Sequence, residues 1–94
     1  MTLDESQLQQ VEELGALMFS VSKIAIIIGV SDQDLRSLIS DSSTAAYMRY
    51  NRGKLLSESE VRTSVLKLAK QGSSPAQTLA KKYSDECELE NIEL

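Results

Sequence analysis

The stretch Ser22-Lys23-Ile24-Ala25-Ile26-Ile27-Ile28-Gly29-Val30-Ser31-Asp32-Gln33-Asp34-Leu35-Arg36-Ser37-Leu38-Ile39 decides the fold. Its apolar residues recur at helical spacing on both sides of Gly29, and no run alternates as a strand would. The pattern predicts a helix over 21–28 with Ser20 as N-cap, a three-residue turn, and a second helix opening after Ser31. Ile24, Ile27 and Ile28 are expected to face inward, and Ala25 is small enough for the second helix to cross closely. Gly29 supplies the left-handed turn residue, and Val30 plugs the core. Asp34, three residues after Ser31, has the spacing of a weak capping-box acid. Leu35, Leu38 and Ile39 share a face of the second helix. This is the pattern of a helix-turn-helix, and a plain three-helix bundle shows it too.

Outward from that stretch the pattern stays helical, with one Pro and four Gly in 94 residues. A first helix is expected over about 3–18. Thr2 and Glu5 stand at capping-box spacing, and Leu8, Val11, Leu14 and Met18 form the stripe. A long helix follows from about 41–44 to 71. Tyr47, Tyr50, Val61, Val65, Leu68 and Ala69 fall on one face of it, with Met48, Leu55 and Leu66 in a second band. Two bands suggest two packing partners, one of them another chain. Tyr47, Tyr50, Leu55, Val61, Val65 and Leu68 are therefore the candidate oligomer interface. Gly53 marks a possible kink at 51–53. Gly72 closes this helix. Ser74 as N-cap, Pro75 in the first helical position and Gln77 as capping-box partner open the last one. The expected architecture is all-α. A helix-turn-helix three-helix bundle fills residues 1–41, a long helix and antiparallel hairpin fill 42–84, and an acidic, disordered tail occupies 85–94.

Composition narrows the chemistry. The chain is 41% hydrophobic and 26% charged, ordinary for a globular domain. It has no His and one Cys, Cys87, so a Cys/His zinc site, a Ser-His-Asp triad and an internal disulfide are all excluded. There is no Gly-rich phosphate loop. No catalytic residue, metal site or cofactor is expected, and the chain reads as a non-enzyme. Its longest apolar run, 24–30, is far short of a membrane span. MTLDESQLQQ does not read as a signal peptide, so the expected location is the cytoplasm, with no membrane partner.

The net charge of −4 hides three blocks: −5 over 1–41, +6 over 42–82 and −5 over 83–94. A basic middle is suited to nucleic acid or to the acidic ends of a neighbouring copy. In a helix-turn-helix, the second helix would present Asp32, Gln33, Arg36, Ser37 and Ser40 to the major groove. Gln33 suits adenine and Arg36 guanine, while Asp32 and Asp34 would repel phosphates. Arg49, Arg52, Lys67 and Lys70 share one side of the long helix. Arg49 and Lys67 lie about 27 Å apart, a stripe that either tracks phosphates, docks a partner or is a solvated face.

Three elements then come together: the helix-turn-helix, Ala45-Ala46-Tyr47-Met48-Arg49-Tyr50-Asn51-Arg52-Gly53-Lys54, and the hairpin Leu66-Lys67-Leu68-Ala69-Lys70-Gln71-Gly72-Ser73-Ser74-Pro75-Ala76-Gln77-Thr78-Leu79-Ala80. Over about residues 20–84 this resembles the small subunit of bacteriophage terminases. The resemblance implies a DNA-packaging subunit that assembles into rings, recognises viral double-stranded DNA and recruits the large ATPase-nuclease subunit. Residues 22–39 would face DNA, 45–83 would build the ring, and the tail would meet the large subunit in the host-cell cytoplasm. Two other functions fit the residues themselves: a small helix-turn-helix transcriptional regulator acting as a dimer, and a helical protein-interaction module without DNA binding.

Overall fold

The computed structural model describes residues 1–92, and among them the chain forms five α-helices. They are α1 (Glu5–Ala16), α2 (Val21–Ile28), α3 (Asp32–Ser40), α4 (Ala45–Lys70) and α5 (Ser74–Ile92). The chain is all-α, as the periodicity predicts. It divides into two compact units, Met1–Glu58 and Ser59–Leu94, with the division inside α4 rather than at residue 41.

In the first unit α1 opens two residues later than the Thr2–Glu5 spacing suggests. Asp4 is the N-cap: its Oδ1 accepts from the Gln7 N–H at 2.8 Å, and Gln7 Oε1 accepts from the Asp4 N–H at 3.0 Å. Asp caps as well as Thr does, and Gln reaches back as well as Glu. The helix then stops before Met18. Met18 takes a left-handed φ of 67°, the Met18 N–H donates to the Gly15 carbonyl, and the Phe19 N–H donates to that of Leu14. These two bonds are a Schellman closure, and they turn Met18 outward to 67% exposure. Phe19 packs against the core instead, which corrects the predicted stripe.

α2 and α3 have the predicted boundaries. Ser20 Oγ accepts from the Lys23 N–H and Ser31 Oγ from the Asp34 N–H. Gly29 sits at φ 78°, and the Gly29 and Val30 N–H groups both donate to the Ala25 carbonyl. The core is small: Val11, Ile24, Ala25, Leu35, Ile39 and Ala46, ringed by partly buried Leu14, Phe19, Val21, Ile28, Leu38 and Tyr50 among others. Ile27 does not join it, being half exposed.

Thr44 caps α4, its Oγ1 accepting from the Tyr47 N–H and donating to the Leu38 carbonyl at 2.6 Å. Gly53 does not break this helix. It is buried where α4 crosses α1, and a Cβ there would collide with the Glu12 carbonyl oxygen and lie 3.1 Å from the Ala16 nitrogen. Gly15 plays the matching part on α1, against the backbone and ring of Tyr50. The glycine predicted to kink α4 instead lets two helix backbones touch.

In the second unit the last turns of α4 and all of α5 form the predicted antiparallel hairpin. Gly72, at φ 100°, closes α4 with the Gly72 N–H donating to Ala69 and the Ser73 N–H to Leu68. The cap of α5 is Ser73 rather than Ser74, for Ser73 Oγ accepts from the Ala76 N–H. Gln77 is not its capping partner. Its amide donates to the Ala69 carbonyl at the end of α4, which also accepts the Gly72 N–H. Across the pair, Arg62 stacks on the Tyr83 ring at 4.2 Å and pairs with Glu86 at 3.7 Å. α5 continues to Ile92, so the stretch expected to be a disordered tail is helical that far; residues 93–94 lie outside the described residues.

Candidate nucleic-acid interface

The polar side of α3 follows from its heptad-like pattern. Leu35 and Ile39 are buried, so Asp32, Gln33, Arg36, Ser37 and Ser40 are carried to the outside. With Val21 and Ile39 these five line one open depression. All four α3 residues assigned to DNA from the sequence, Gln33, Arg36, Ser37 and Ser40, therefore share a surface.

That surface is partly self-satisfied. Arg36 donates from Nε to Asp32 at 3.0 Å and from Nη2 to the Ser22 hydroxyl of α2 at 2.5 Å. The hydrogen bond from Ser22, and after it that from Arg36, hold the Asp32 carboxyl below the usual carboxylate range. Ser40 donates its hydroxyl back to the Ser37 carbonyl. The Arg36 side chain stays 59% exposed, so a nucleic acid would compete with Asp32 for an accessible guanidinium.

Arg49 and Arg52 have a different place. Arg49 pairs with Glu5 at 2.9 Å and with Glu12 at 3.3 Å, and Arg52 pairs with the same Glu12 at 3.3 Å. The Arg49 side chain is only 24% exposed. Glu5 first, and Glu12 with it, raises its already high pKa further. These two arginines tie α4 to α1. Part of the basic middle thus meets the acidic N-terminal block inside one chain; Arg49 is largely covered, while Arg52 stays 63% exposed, as open as Arg36 on α3.

The residues expected to meet another chain also separate. Tyr50 packs against the core of its own unit, over Gly15. Tyr47 and Val65 are half-buried, while Leu55, Val61 and Leu68 are exposed. In the second unit, Val61 and Leu68 of α4 and Leu79 of α5 are exposed apolar residues. Lys67 and Lys70 lie in the last turn of α4, and on α5 Lys81 pairs with Asp85 at 3.3 Å.

Among the described residues no group of three or more His, Cys, Asp or Glu is placed to hold a metal ion. Nor is any helix among the described residues long and apolar enough to cross a membrane. Cys87 is an exposed free thiol. Models of protein families, curated proteins and solved structures all yield no match to this chain.

Proposed function

We propose that this chain is a non-enzymatic, self-assembling subunit that binds double-stranded DNA through α3, in the manner of a terminase small subunit that recruits a large partner. One observation carries this reading. A short helix, a glycine turn and a second short helix close over Ile24 and Leu35, and the second helix displays Gln33, Arg36, Ser37 and Ser40 together. Such a helix matches the width of the major groove and the donor pattern needed there. With Asp32 and Asp34 beside Arg36, one copy supplies little phosphate neutralisation. Affinity therefore comes from many copies acting on one duplex.

A second reading, a protein-interaction module without DNA contact, is favoured by a specific observation. Arg36, Arg49 and Arg52 each have a carboxylate partner within the chain. Light scattering on the full chain, followed by fluorescence anisotropy on a labelled duplex, separates the two. Assemblies of several copies that bind DNA with an affinity falling steeply with salt support the first reading. Assemblies indifferent to DNA at low salt support the second.

A further inference from the structure

Each of the two units carries an exposed apolar pair. On α2, Ile26 is 80% exposed and Ile27 49% exposed. On the last turns of α5, Leu89 is 62% and Ile92 79% exposed. β-branched and leucine side chains this open are a poor fit to water, at about 25 cal/mol for each Å² that could be covered.

Their flanking charges are opposite. Lys23 stands one turn before Ile26 and Ile27, on the same outward side of α2. Glu88 stands one turn before Ile92 on α5 and adjoins Leu89. Each pair is a small apolar patch about one helical turn long, one with a cation at its edge and one with an anion. A second copy of this chain offers each patch its complement.

We propose that the α5 end of one copy, through Leu89, Ile92 and Glu88, docks on the outer face of α2 of the next, through Ile26, Ile27 and Lys23. The contact is head-to-tail, so each copy gives one patch and receives the other. Repetition of such a contact closes into a ring or runs on as a filament. This deepens the self-assembly reading and rests on it. It adds the surface that joins the copies.

The test uses the full chain and two variants, Ile26→Glu, which blocks the receiving patch, and Ile92→Lys, which blocks the giving one. Both positions are about four-fifths exposed, so folding is checked simply by matching circular dichroism melts. Wild-type protein is expected to sediment as an assembly and each variant alone as a single chain. An equimolar mixture of the two variants restores one intact contact and should sediment as a dimer that grows no further. Charge exchange gives an independent readout: Lys23→Glu and Glu88→Lys each weaken assembly about tenfold, and the double variant recovers it. Variants that keep the wild-type mass overturn this contact while leaving self-assembly standing. Single-chain variants whose mixture does not pair overturn the head-to-tail geometry. A wild-type chain that is monomeric at all concentrations overturns both this contact and the self-assembly reading beneath it.

Discussion

Replacing Gly53 with alanine should destabilise the chain, although helix propensity alone argues the reverse. In an exposed helix interior, Gly→Ala gains about 1 kcal/mol. Here the new Cβ would collide with the Glu12 carbonyl oxygen and approach the Glu12 carbon at 2.9 Å and the Ala16 nitrogen at 3.1 Å. All three are backbone atoms, so no side-chain rotation relieves the overlap. α1 and α4 must move apart, which loosens Val11 and Ala46 in the core and lengthens the Arg49 and Arg52 bonds to Glu12. Overpacking of this kind typically costs about 1–3 kcal/mol, and backbone collision belongs at the upper end. Set against the propensity gain, the net loss should be about 2 kcal/mol, a large share of the stability of a domain with so small a core. Urea unfolding followed by circular dichroism at 222 nm reads it as a lower midpoint with an unchanged slope. A midpoint that stays put or rises would mean that α1 and α4 do not touch at Gly53, and the packing of the first unit would have to be redrawn.

Gly29→Ala meets no steric contact within 4 Å, so its cost should be the left-handed backbone alone, about 1–2 kcal/mol in the same assay. Met18→Gly should act in the opposite direction, raising the urea midpoint by the equivalent of roughly 1 kcal/mol, because a non-glycine residue now holds a φ of 67°. The Asp32 carboxyl, depressed by Ser22 and Arg36, favours the folded state at pH values above the usual carboxylate range. That contribution fades as pH falls through the depressed value. Ser22→Ala should therefore move the Asp32 titration, followed by carbon-detected NMR, upward toward the ordinary range; an unmoved titration would show that the Ser22 hydroxyl does not hold this carboxylate.

The segments most legible in the sequence are those settled by neighbours a few residues away. The caps at Ser20 and Ser31, the stop at Gly29 and the core positions Ile24, Leu35 and Ile39 all follow from local hydrogen bonding and helical period. The α4–α5 turn followed the same logic, displaced by one residue because Ser73 and Ser74 offer equivalent hydroxyls. What resisted reading depends on contacts between distant segments. Gly53 looked like a weak point in a helix because its reason for being glycine, the Glu12 carbonyl, is 41 positions away. Arg49 and Arg52 looked like a phosphate stripe because their partners Glu5 and Glu12 belong to another helix. Tyr50 looked like an interface residue because Gly15, which receives its ring, carries no apolar signal. For Met18 there was a clue in Phe19, a larger apolar residue one position on, able to take its place in the core.

The most direct measurement is the affinity of the assembled protein for a labelled duplex, compared between wild type and the variant Arg36→Ala. Loss of one base or phosphate contact on each α3 should weaken binding at least fivefold, with mass in solution unchanged. Equal affinities for the two proteins would contradict the placement of DNA on α3.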